Sequence, residues 1–144
     1  TGHLELSTLH TNDAPSALTR LLDLGVPNYL IQSTLTGVVA QRLVRTLCPH
    51  CKSPAPLDVR AWEALTLRWS LPVPEQTYAP KGCLECRKTG FLGRTGIYEM
   101  MRISPPLRAL IQPNMDLAKV GETALAEGMR PLRVSAAAVL PPVE

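Results

Sequence analysis

Charge is scarce in this chain. Asp, Glu, Lys and Arg make up 19% of its 144 residues, below the usual share of about a quarter, so disorder driven by charge is excluded. The net charge of +3 is small and dispersed, and the few aromatics (4%) are not interleaved with a basic stripe. Both facts exclude the dense electrostatic footprint of a nucleic-acid binder. Long apolar runs are missing as well: the longest, Ala136 to Leu140, has five residues, far short of the ~20 needed to span a bilayer. What the chain does hold is 45% apolar residues and 14 prolines, at a length that suits one domain burying roughly 68% of its unfolded surface. It opens Thr1-Gly2-His3 without an initiator methionine or a secretory leader and closes on Pro141-Pro142-Val143-Glu144. That pattern is expected of a fragment or processed form with a cut or frayed tail.

Hydrophobic spacing divides the rest. His3 to Leu9 partly alternates and predicts a strand, followed by a polar turn in which Asn12 or Asp13 caps a helix and Pro15 needs no amide donor. Leu18, Leu21 and Leu22 share one face of that helix, with Gly25 as its stop. Pro27 opens a second helix through Leu30, Ile31 and Leu35, ending near Gly37. The stretch from Val38 to Leu47 then alternates as a strand with mixed faces, although a helix is an alternative there. Cys48 to Pro56 is too punctuated by proline for a regular core element. Asp58 caps a helix whose Trp62, Leu65 and Trp69 form an apolar stripe, which reads as ordinary packing before it reads as a partner surface. Leu71 to Gly82 reads as a loop, and Gly90, Gly93 and Gly96 space another that leads into a short strand at 95–100. Ser104-Pro105 and Asp116 each open a helix, the first carrying Leu107, Leu110 and Ile111, the second Leu117, Val120, Ala124 and Leu125.

The strongest chemical signal is Cys48-Pro-His-Cys51 together with Cys83-Leu-Glu-Cys86, separated by 31 residues. Two such knuckles place four thiolates at tetrahedral corners around one ion, so the long loop needs to close only once. Soft sulfur ligands favour Zn²⁺, here in a structural role because no coordination position stays open for water. Lys52, Lys81, Arg87 and Lys88 lie beside the ligands, where they offset the negative charge of the thiolate shell. Thiol–disulfide exchange and a rubredoxin-like iron site are the rival readings, and His50 inside the first knuckle is a competing ligand. His3 and His10, seven apart, point to opposite faces of an extended strand and form no obvious metal pair.

The order of these motifs resembles one family. Residues Thr1 to Ala14, Gly37 to Cys48, the paired cysteines and Gly93-Arg94-Thr95-Gly96-Ile97-Tyr98-Glu99 are similar in succession to bacterial type II secretion and type IV pilus assembly ATPases, over most of residues 1–130. The resemblance implies an α/β fold: the C-terminal part of a RecA-like P-loop ATPase domain, with an inserted four-cysteine zinc-binding module and a helical C-terminal region. On that basis residues 1–47 are an incomplete portion of the ATPase domain, 48–93 the metal-binding module, and 94–144 a short strand and helices. It further implies a cytoplasmic homo-hexamer, held peripherally at the inner membrane through a platform protein and other secretion or pilus components, that hydrolyses ATP with Mg²⁺. His3 and His10 match the histidine box, His10 being the candidate for sensing the γ-phosphate. Gln41 and Arg42 match a Gln-Arg-Leu segment that couples the site to a neighbouring element. Cys48, Cys51, Cys83 and Cys86 match the metal-binding insertion of the secretion and pilus-extension branch rather than the retraction branch.

One departure bears on activity. No G-x-x-x-x-G-K-[ST] occurs in the chain, so the amides and lysine that cradle phosphates are missing and the fragment is expected to be inactive alone. Exposed apolar edges in 1–47 are expected to drive artificial association, and the sequence from Val134 to Pro142 is expected to diverge from the family. Two other functions stay open on the residues alone: a non-enzymatic zinc-stapled interaction module, and a thiol–disulfide oxidoreductase, which needs free low-pKa thiols.

Overall fold

The computed structural model describes residues 2–67 and 69–138, so the expected tail at 141–144 and the terminal Thr1 lie outside the described residues. The chain divides into two units, one of residues 1–40 and 99–130, the other of residues 41–98 and 131–144.

The first unit holds helices α1 (Ser16–Asp23) and α2 (Asn28–Thr34), the start of strand β1 (Gly37–Leu47), the end of strand β4 (Phe91–Arg102), and helices α4 (Pro105–Leu110) and α5 (Leu117–Ala126). Three of these helix starts have a side-chain acceptor, whereas α2 begins after Pro27 without one. The Asp13 carboxylate accepts the Ser16 amide at 2.8 Å, Ser104 accepts that of Leu107, and Asp116 accepts those of Ala118 and Lys119. These are the orphan donors of a first helical turn. Gly25, at φ +84°, ends the turn after α1, a conformation that costs glycine nothing. Leu18, Ile31, Met101, Ile103, Leu107, Ile111 and Val120 meet in one buried core, with Leu21, Leu22, Leu35 and Leu125 packed against it. Each large side chain so buried contributes about 1.5–3 kcal/mol.

The second unit carries the remainder of β1 and β4, strands β2 (Ser53–Ala55) and β3 (Thr77–Ala79), and helices α3 (Val59–Thr66) and α6 (Leu132–Ala138). Asp58 caps α3 through the Ala61 amide, and α3 packs on α6 through a side that buries Trp62, Val134 and Ala137. Trp62 is therefore a packing residue. Strand β2 pairs antiparallel with β3, with Pro54 opposite Tyr78.

Strands β1 and β4 form a separate two-stranded sheet. It runs antiparallel: the Ile103 amide donates to the Thr36 carbonyl at one end and the Cys48 amide to the Gly90 carbonyl at the other. Along β1 the odd residues Val39, Gln41, Leu43 and Arg45 are exposed, while Val38, Ala40 and Val44 turn inward. In β4 the inward residues are Ile97, Glu99 and Met101.

Several expectations are corrected. Residues 3–9 form no strand: Leu4 and Leu6 are 81% and 93% exposed, and among the described residues neither sheet supplies the ladder that would satisfy this backbone. The proline-rich stretches at 48–56 and 71–82 each contain a three-residue strand, and Pro54 fits in the middle of β2 because both strands of a two-stranded sheet are edges. Strand β4 starts at Phe91 rather than after a glycine loop. Gly93 sits in it at φ +86°, and Gly96 leaves room for the Tyr98 ring, whose hydroxyl would lie 2.5 Å from an added Cβ. Glycine in a strand often marks such a close approach. The fold is thus mixed α/β with small antiparallel sheets and C-terminal helices.

Candidate metal centre

The two knuckles are built by turns at one end of the β1–β4 ladder, the first following β1 and the second preceding β4. Beyond β1, the amides of Cys51 and Lys52 fold back onto the Cys48 carbonyl at 3.3 and 3.0 Å. Before β4, Arg87 donates to Leu84, Lys88 to Cys83, and Thr89 to Cys86. Arg87 and Lys88 both take positive φ, 53° and 63°, which wraps the chain around the second pair. That wrapping aims backbone donors at sulfur. The Cys83 and Gly90 amides each lie 3.2 Å from Cys86 Sγ, and the Gly82 amide lies 3.2 Å from Cys51 Sγ.

All four sulfurs lie within 4.8 Å of one another. Cys48 to Cys83 is 3.9 Å, and both Cys51 to Cys86 and Cys83 to Cys86 are 3.8 Å. A zinc ion with bonds of about 2.3 Å to each of four sulfurs sets tetrahedral edges of about 3.8 Å, so the donor set fits zinc. A disulfide needs about 2.05 Å, and all four cysteines are free. This is a potential structural zinc site.

The electrostatics agree with a site that wants a cation. Burial pushes the Cys48 thiol above its ordinary value, and pushes Cys51 up to about 11. Cys86 goes the other way, to about 6, chiefly because the Cys83 amide donates to its sulfur, with the Gly90 amide adding to the effect. A dication among crowded thiols removes the penalty on their charged forms. Around the site, Lys52 Nζ lies 4.4 Å over the Tyr78 ring, while Lys52, Lys81, Arg87 and Lys88 are all exposed. His50 is exposed and stands outside the cluster.

His3 and His10 are exposed on a segment without regular structure, and Gln41 and Arg42 are exposed on β1. Gln41 Nε2 donates to the Tyr98 hydroxyl at 3.3 Å, which joins two of the motifs singled out above. Three residues with a structural task escape the sequence pattern: Gly82 and Gly90, whose amides lie at sulfur, and Glu99, which accepts the Ala14 amide. The glycine spacing after Cys86 was the available signal for Gly90. For Glu99 it was a carboxylate at an inward position of β4.

Residues 1–140 match the family model described as "Type II/IV secretion system protein". The type IV pilus assembly ATPase TfpB of Acinetobacter baylyi is 52% identical over 137 residues, covering 95% of this chain and 23% of that protein. The type II secretion system protein E of Aeromonas hydrophila is 47% identical over 111 residues, 77% of this chain and 22% of that protein. The type II secretion system ATPase E of Vibrio cholerae is 43% identical over 130 residues, 90% and 24% respectively. The chain thus spans about a quarter of the length of these curated relatives.

Proposed function

The chain belongs to the type II/IV secretion system protein family, and from that membership we propose that it is the C-terminal part of an ATPase that powers type II protein secretion or type IV pilus assembly. In this reading residues 1–47 contribute to a RecA-like ATPase domain, residues 48–93 form the metal-binding module, and residues 94–144 supply a strand and helices. The whole protein works as a cytoplasmic homo-hexamer that couples hydrolysis of Mg²⁺-bound ATP to an inner-membrane platform. The observation that carries the proposal is the match across residues 1–140, with a four-sulfur cluster of tetrahedral dimensions at the expected place in the succession of motifs.

Each group then has a task. Zinc, when bound, supplies a cross-link between the two knuckles and no chemistry. His10 faces the γ-phosphate of bound nucleotide, His3 supports it from the same box, and Gln41 and Arg42 couple the site to a neighbouring element. The exposed Leu4 and Leu6 are covered by the remainder of the ATPase domain, which also supplies the phosphate-binding loop that these 144 residues lack.

ATP turnover tests the reading in three samples: the complete protein, the 144-residue chain alone, and the complete protein carrying His10→Ala. The first is expected to be active, the second silent, and the third depressed at both saturating and limiting ATP. Turnover by the isolated chain overturns the division of labour. Unchanged turnover in the His10 variant removes the role given to His10.

A further inference from the structure

A carboxylate occupies an apolar position of β4. Glu99 lies in the inward register between Ile97 and Met101, both buried, and is itself only 5% exposed. Burying a carboxylate there is costly unless it is hydrogen-bonded. Glu99 Oε1 accepts the Ala14 amide at 2.8 Å, across 85 residues of sequence.

The residues around Ala14 say what that bond holds. Ala14 is fully buried, and Ala17 and Leu18 follow it into the core. The Thr11 hydroxyl donates to the Asp13 carbonyl at 3.1 Å, and Asp13 caps Ser16. The turn from Thr11 to Ala14 is therefore pinned at its far end by Glu99 and stiffened inside by Thr11 and Asp13. Upstream of it, residues 2–10 are exposed and without regular structure. His10 is the last residue before this fixed turn, so the turn sets where its backbone leaves the core and in which direction.

We propose that Glu99 is the positioning residue for His10: by accepting the Ala14 amide, its carboxylate fixes the turn from which His10 reaches the nucleotide. The inference rests on the reading of His10 given above. An amide oxygen does the same work as the carboxylate oxygen, whereas an apolar side chain of similar length fills the space and leaves the Ala14 donor unsatisfied. Glu99 itself touches no nucleotide in this scheme. Its effect passes through His10 and so falls on kcat more than on KM.

The test uses the complete protein with Mg²⁺ and ATP, carrying Glu99→Met, Glu99→Gln, His10→Ala and the Glu99→Met/His10→Ala double substitution, each checked for folding by circular dichroism. Glu99→Met is expected to lower kcat about tenfold or more with KM within about twofold, and Glu99→Gln to restore kcat to within about threefold of the parent. In the His10→Ala background, Glu99→Met is expected to cost nothing further. Full activity in Glu99→Met overturns the inference, as does a loss that simply multiplies with that of His10→Ala. Should Glu99→Met fail to fold, Glu99→Gln decides: kcat depressed as far as in His10→Ala overturns the inference, and near-parent kcat supports it. Full activity in His10→Ala is the separate outcome that overturns the reading of His10 itself and the catalytic role of Glu99 with it.

Discussion

Removing one sulfur at a time from the cysteine cluster gives an ordered result, because the four are not held alike. Structural zinc in small thiolate sites is worth about 10–16 kcal/mol of apparent binding energy. Shared over four ligands, each thiolate accounts for about 2.5–4 kcal/mol, or about 10²- to 10³-fold in affinity. Cys83→Ala should show that loss. Cys86→Ala should lose more, since its sulfur also accepts the Cys83 and Gly90 amides at 3.2 Å. A buried donor left without a partner costs about 1–3 kcal/mol. Losing the metal also reopens the 31-residue loop between Cys51 and Cys83, and closing a loop of that size with a cross-link is worth about 3–4 kcal/mol in chain entropy. Competition with a zinc chelator measures the affinities, and limited proteolysis and thermal unfolding read the loosening of residues 48–93. Cys83→Ala that holds zinc as tightly as the parent would refute the tetrahedral shell. So would a parent chain stripped of zinc with unchanged proteolysis and unfolding, since the staple would then be holding nothing.

Four further outcomes are expected. Protons compete with zinc for thiolates; burial raises Cys48 and Cys51, so they take protons first as pH falls, and zinc affinity measured by competition should rise steadily from about pH 6 to about pH 9. A flat profile would show that the thiols are not the ligands. Gly90→Ala should destabilise the chain by about 2–4 kcal/mol in denaturant titrations, since it combines strain at φ +78° with a Cβ 2.5 Å from Pro80 Cβ. Gly25→Ala, at φ +84° with open space around it, should cost only about 1–2 kcal/mol. Asp116→Ala removes the acceptor for the Ala118 and Lys119 amides and should cost about 1–2 kcal/mol in the same titration.

Local chemistry made much of this molecule legible in advance. Asp58, Ser104 and Asp116 announce their helices because a cap works within three residues of itself. The cysteine spacing announces a cluster because each knuckle solves half the geometry locally. What escaped was set by distant partners. His3 to Leu9 has the alternation of a strand, yet alternation supplies no ladder. Strand β4 runs through Gly93 and Gly96 because pairing with β1 outweighs their low strand preference. Arg87 and Lys88 adopt a left-handed backbone that no propensity would assign to them. The metal site needed its loop closed before the amides of Gly82 and Gly90 could be seen at sulfur.

The first unit is assembled from two stretches of chain, residues 1–40 and 99–130, and that arrangement imposes a waiting time on the ribosome. Ala14 and Leu18 emerge long before Glu99, Ile103 and Leu107, their eventual neighbours. At about 5–20 residues per second, the 85 residues from Ala14 to Glu99 take about 4–17 s to synthesise. For that interval the leucines of α1 have only the early part of their core, Ile31, Leu35 and Ala40, to pack on, and a nascent chain in this state is the form of the protein with most need of a chaperone.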